Sequence, residues 1–195
     1  MCAKTWRQQL GEAGELAVSE ALEALGWRVS NLNDAQQNTP NVDLLAARDG
    51  ARVFIQVKAY NTYGWISGGG LNEKIANGAP LFNKVADRQT ADFIVFLSPS
   101  APTAPKALAV AWRFFVTPTH IAEALFRAHI DGVMNKPKRD GTRRKPVGAV
   151  QDWVGPGAKP NDWGPDLHEE WARYEGAFGG MGIAGDRVYP RSKSG

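Results

Sequence analysis

The stretch NTPNVDLLAARDGARVFIQVKAY, residues 38–60, decides the fold. Two apolar runs, VDLLAAR (42–48) and ARVFIQVKA (51–59), flank the dipeptide Asp49-Gly50. Asp-Gly between apolar runs is a strong short-range hairpin signal, because both residues accept the positive φ of a tight turn. With a two-residue turn, Arg48 faces Ala51, and counting outward sets Asp43 across from Gln56. On this count Lys58 is the diagonal neighbour of Asp43 on the same face, roughly 7–8 Å away. Val53, Ile55 and Val57 form the other, apolar face and point to the core. An acid, an amide and an amine thus gather at one spot of a ribbon that otherwise reads as buried.

Upstream, residues 5–25 predict a helix, with Thr5 as its cap and Gly26 as its stop. Leu10, Gly14, Val18, Leu22 and Leu25 fall on one side at about 100° per residue. Glu15 lies about 20° from Leu22 on that wheel, whereas Glu12, Glu20 and Glu23 lie roughly 80–160° away. Three glutamates therefore belong to a solvated face. Glu15 borders the buried stripe, where an unpaired carboxylate is costly.

Residues 27–32 predict a short strand, followed by a polar loop through Pro40. After the hairpin come a loop with SGGG at 67–70, a helix over 71–91 interrupted near Pro80, and a buried strand at 92–97. A further strand over 107–117 and an amphipathic helix from Pro118 to Ile130 complete the core, which is expected to span residues 1–132. From residue 133 onward the composition turns basic, then rich in Gly, Pro and Trp. Trp153, Trp163 and Trp171 argue against a disordered tail, since indoles rarely stay in water without packing partners. The extension is expected to lie over the core or against a second copy, with a short helix in 166–178.

The 195 residues are 43% hydrophobic and 22% charged, which suits a globular chain. No apolar run is long enough for a membrane span, and residues 1–15 lack the apolar core of a signal peptide. Cys2 is the single cysteine, so neither a disulfide framework nor a thiolate zinc site is available. A cytoplasmic location is the expectation. The net charge of +3 is unevenly spread: residues 136–145 carry Lys136, Lys138, Arg139, Arg143, Arg144 and Lys145 against one acid. Such a run is either a solvated loop or a segment that contacts phosphates. Lys84 and Arg88, one turn apart, are further phosphate candidates or simply a solvated helix face. Tyr60, Tyr63 and Trp65 stand beside the polar cluster, either to stack on bases or to pack. His120, His129 and His168 have no metal-ligand spacing, and SGGG lacks the Lys-Ser/Thr of a P-loop.

Glu15 in GELAV, Asp43 in NVD, and Gln56 with Lys58 in QVK make a pattern that resembles the PD-(D/E)xK nuclease superfamily, in particular its Mrr-like and Holliday-junction-resolvase-like branches. The resemblance covers roughly residues 5–100. It implies an α/β protein with a restriction-endonuclease-like αβββαβ core and a mixed central sheet. It also implies DNA rather than RNA as the nucleic-acid partner, a homodimer, and Mg²⁺ or Mn²⁺ as cofactor. Asp43 would be the principal metal ligand, joined by the Gln56 side chain and the Val57 carbonyl, with Glu15 acting through water or a second ion. Lys58 would orient or deprotonate the attacking water. Gln56 departs from the superfamily's usual Asp or Glu, leaving Asp43 and Glu15 as the anionic candidates. Weaker metal binding, or a site completed by the nucleic acid, is expected. The competing reading makes Asp43 and Lys58 a structural ion pair in a nuclease-fold module that binds nucleic acid or protein without cutting.

Overall fold

A capping box opens the first helix. The Thr5 hydroxyl accepts from the Gln8 amide while the Gln8 side chain accepts from the Thr5 amide, so α1 begins at Trp6 and runs to Ala24. Reciprocal caps of this kind stabilise a helix start by about 1 kcal/mol. The computed structural model describes residues 4–35, 42–70, 91–109, 111–142, 149–157, 159 and 165–181.

Along α1 the buried residues are Leu10, Gly14, Val18 and Leu22. The expected stripe fails at its last position: Leu25 is 47% exposed. It caps the helix outside the helical conformation, at φ −93° and ψ 7°, and no longer follows the 100° step. Trp27, 3% exposed, takes its place in the core. Gly14 sets how closely the helix lies on the sheet. A Cβ there would come within 2.7 Å of the Ala59 Cβ, so only a bare backbone permits this approach.

Strand β1 (Arg28–Asn31) leads directly into a one-turn helix, α2 (Leu32–Ala35), where the sequence reading had placed only loop. Strands β2 (Leu44–Arg48) and β3 (Ala51–Ala59) form the hairpin. Its turn residues Asp49 and Gly50 have φ of 51° and 82°, the signs a type I′ turn needs. Register runs from Arg48↔Ala51 to Leu44↔Ile55, as counted from the turn. Beyond that point the count breaks, because the Asp43 amide donates to the Ile55 carbonyl and Asp43 leaves the ladder.

Strand β4 (Trp65–Gly70) follows, and then β5 (Phe93–Pro99) and β6 (Trp112–Pro118). One sheet has the order β1-β2-β3-β5-β6, with β5 parallel to β3 and the other neighbours antiparallel. The sheet is therefore mixed. Residues 107–109, expected to be strand, are not; the strand begins at Trp112. The predicted helix over 71–91 falls almost wholly outside the described residues.

The face bearing Leu44, Ala46, Val53, Ile55 and Val57 packs against Val18 and Leu22 of α1. On the opposite face, helix α3 (Thr119–Asn135) sets Ala122, Phe126 and Ile130 against Ile94, Phe96 and Phe115. No helix among the described residues is long and apolar enough to cross a membrane.

The C-terminal extension supplies a partner strand. Strand β7 (Ala149–Trp153) pairs antiparallel with β4, so the SGGG segment read as loop is strand instead. Loop composition lost here to a partner about eighty residues away in sequence. A short helix, α4 (His168–Ala172), buries Trp171 completely against Phe96 and Phe126. Beyond it the Tyr174 carbonyl accepts from the Val116 amide, and Glu175 bridges to Phe115. The fork of Arg113 grips both oxygens of Glu175 at 2.7 Å. Phe178 and Met181 then enter the core beside α1. Position 132/133 lies inside α3, so the chain crosses it without a break in structure.

Candidate active site

Asp43 sits where β2 stops pairing. Its backbone is held on both sides: its amide donates to the Ile55 carbonyl and its carbonyl accepts from the Leu32 amide, at 2.8 and 2.9 Å. Its Oδ2 accepts from the Val57 amide at 2.7 Å. The carboxylate thus satisfies a β3 donor that a strand carbonyl would otherwise take. In an antiparallel edge the N–H and C=O of one residue point the same way, so the Val57 carbonyl lies on the Asp43 side as well.

Glu15 comes to the same place from α1. The Asn31 amide donates to its Oε2 at 2.8 Å, and the Asn33 amide donates to its Oε1 at 3.2 Å. Asn33 Nδ2 also lies 3.4 Å from Asp43 Oδ1, so a single amide touches both carboxylates. The Asn33 backbone amide in turn donates to Asn31 Oδ1, which fixes the start of α2. Burial pushes the Glu15 carboxyl above its ordinary range, and the nearby Asp43 charge pushes it further, against the two asparagine hydrogen bonds. Neither carboxylate makes an ion pair with a described residue.

Gln56 and Lys58 alternate with Val57 on β3 and project from the face away from α1. Gln56 is 7% exposed and Lys58 is half-buried. The structure thus brings Glu15 and Asp43 together, while Gln56 and Lys58 share the other strand face. Among the described residues no group of three or more His, Cys, Asp or Glu side chains could hold a metal ion. The donors available are two carboxylates, an amide oxygen and a backbone carbonyl. That set suits a hard cation such as Mg²⁺, which takes oxygen ligands and keeps several waters.

The other candidates are spread out. Lys136, Lys138 and Arg139 are exposed just past α3. Lys84, Arg88, Arg143, Arg144 and Lys145 lie outside the described residues. Trp65 packs edge-on against Trp153, with ring centroids 5.4 Å apart, and the Tyr60 hydroxyl accepts from the Gln151 amide.

Sequence reasoning missed Asn31 and Asn33, although the run SNLND (30–34) is dense in residues that bond nearby backbone. It also missed a second polar centre. His129 Nδ1 lies 2.6 Å from Asp152 Oδ1, and the Trp171 indole donates to Asp152 Oδ2 at 2.8 Å. Lys159 Nζ is 3.9 Å from the same acid. These residues lie on α3, β7 and the segments after it, and no short spacing announces them.

The topology defines a class. An opening helix, a three-stranded antiparallel unit with its acid at the head of the second strand, and a further strand added in parallel constitute a restriction-endonuclease-like α/β fold with a mixed central sheet. The sheet is the mixed one that the resemblance implies.

No protein-family model matches the chain. Over 68 residues it is 38% identical to a UPF0102 protein of Synechococcus sp. (strain JA-3-3Ab), a match that covers 33% of this chain and 49% of that one. The chain thus spans about half the length of the curated relative it matches. Two solved structures are similar to it. A bacterial homing endonuclease has a TM-score of 0.45 and 14% identity, with 92% of this chain and 91% of that one covered. A Holliday junction resolvase from Archaeoglobus fulgidus has a TM-score of 0.34 and 13% identity, with 83% and 95% covered.

Proposed function

We propose that this chain is a metal-dependent endonuclease that hydrolyses phosphodiester bonds of DNA, with Mg²⁺ as its ion and Mn²⁺ able to replace it. One observation carries the reading. Two half-buried carboxylates from different elements, Glu15 and Asp43, meet on the amide of Asn33 at the point where β2 separates from β3. Holding two acids together in partial burial is unfavourable unless something positive is to be bound.

The ion would be held by Asp43 Oδ1, the Gln56 side-chain oxygen and the Val57 carbonyl, with Glu15 acting through water. When bound, it neutralises charge developing on the phosphoryl oxygens. Asp43 is fixed for this task by its bond to the Val57 amide, which leaves its other oxygen directed at Asn33 and Glu15. Asn31 and Asn33 orient Glu15 and partly offset its burial. Lys58 would orient the attacking water and take its proton. One such site cuts one strand, so breaking a duplex would engage two copies of the chain.

The test uses the purified full chain on duplex, branched and single-stranded DNA, and on RNA, with Mg²⁺ or Mn²⁺. Asp43→Asn keeps an acceptor for the Val57 amide but loses the charge. It should reduce cleavage by roughly 10³-fold, about 4 kcal/mol of transition-state stabilisation. Equal cleavage by both proteins would expose a contaminating nuclease. Cleavage by neither, with every ion, would favour a second reading that Gln56 supports: a nuclease-fold module that binds nucleic acid or a partner without cutting it. Gln56 supplies an oxygen where the superfamily usually places a charge.

A further inference from the structure

At the other end of the hairpin, Arg28 of β1 pairs with Ala47 of β2, and Ala47 pairs with Arg52 of β3. Directly opposed residues share a face, so the two arginines stand on either side of a methyl group, two strand spacings or about 10 Å apart. Both are exposed, and neither makes an ion pair with a described residue. With Arg48, Gly26 and the turn they line a concavity of about 380 Å³.

Arg48 is already committed: its guanidinium lies 4.9 Å from the centre of the Trp27 ring and donates to the Leu25 carbonyl at 2.8 Å. Asp49, the one acid at this rim, is 91% exposed and lies 3.6 Å from Arg48, so water screens it from the outer pair. Two exposed guanidinium groups flanking an alanine across about 10 Å have the reach to take one tetrahedral oxyanion between them.

We infer that the Arg28–Ala47–Arg52 row binds a backbone phosphate of the nucleic acid, outside the cutting centre. This rests on the DNA reading above. The face supports it: Ala47 and Leu45 alternate on β2 as Arg52, Phe54 and Gln56 do on β3, so the arginine row shares the strand face of Gln56. Four residues of β3 separate Arg52 from Gln56, about 13 Å. Between the arginine row and Gln56 lie exposed Ser30 and half-buried Leu45 and Phe54, so no charged side chain of these three strands interrupts that face. The arginines would set the register of the duplex while the acids act on the bond.

The experiment measures binding of a short fluorescent DNA duplex across a salt series, with Ca²⁺ in place of Mg²⁺. Wild type, Arg28→Gln/Arg52→Gln and Arg28→Lys/Arg52→Lys are compared, and near-identical melting temperatures confirm intact folding at these exposed positions. The glutamine pair should weaken binding roughly 10-fold or more and lower the slope of log K against log salt by about 1, with the slope restored by the lysine pair. An unchanged slope while wild type binds would overturn this site and leave the nuclease reading standing. No DNA binding by wild type would overturn both. Titration with inorganic phosphate, followed through the arginine side-chain resonances, separates sources. If free phosphate moves Arg28 and Arg52 but DNA does not, the site takes small anions and the nucleic-acid assignment fails.

Discussion

Two carboxylate centres, one at the head of β2 and one on β7, are solved in opposite ways. Asp152 is 1% exposed and surrounded by donors: His129, the Trp171 indole and, at 3.9 Å, Lys159. Lys159 also donates to the Pro165 carbonyl, while burial holds its amine below its ordinary range against the upward pull of Asp152. A buried acid satisfied this fully is a pin, joining α3 to β7 and to the helix after it. Glu15 and Asp43 are less buried, yet they share neutral amides and repel one another. The first arrangement is complete. The second leaves two carboxylates facing each other through neutral amides alone.

The contrast breaks most visibly at Asp152. Asp152→Ala strands His129 and Lys159 beside an empty acceptor, and removing one partner of a buried charged set costs about 3–5 kcal/mol. Calorimetric melting should fall on the order of 10 °C for a chain of this length. A variant that melts normally but no longer cleaves DNA would move Asp152 from pin to site.

A smaller effect is expected at Gly14. Gly14→Ala drives a methyl into the Ala59 Cβ, 2.7 Å away, so α1 must rise from β3 and carry Glu15 with it. Overpacking of this kind costs roughly 1–3 kcal/mol by urea unfolding. Cleavage should fall by more than the lost stability explains, because Glu15 moves relative to Asp43; a purely structural helix would show the stability loss alone.

The gentlest test is Glu15→Gln, read by urea unfolding against pH without divalent ions. Since the folded state raises the Glu15 carboxyl above 4.5, its contribution to stability is present below that pH and fades as pH rises through the raised value. Wild type should therefore lose ground to Glu15→Gln between mildly acidic and neutral pH, and Mg²⁺ should narrow the gap. A gap independent of pH would mean that Glu15 titrates alike in both states, and the strained-pair account would fall.

The opening helix with its cap, the tight turn at Asp49-Gly50, the hairpin register and the place of Glu15 beside the buried stripe were all legible from residues 5–60. Each depends on neighbours a few positions apart. Period 3.6 brought Glu15 to the edge of the buried stripe, and period 2 aligned Gln56 with Lys58. The count from the turn failed only at Asp43, where a side chain replaced the backbone acceptor. Leu25 failed because a cap residue leaves the helical step.

What the sequence by itself determined is therefore local: where α1 starts, where the chain turns at Asp49-Gly50, and which polar residues share a strand face. Only the tertiary structure decided that SGGG is a strand, that Trp171 is fully buried, and that Asp152 meets His129. Those pairings join segments far apart along the chain, and composition cannot announce them. Their stability comes from burying surface and satisfying donors that meet only after a long loop has closed.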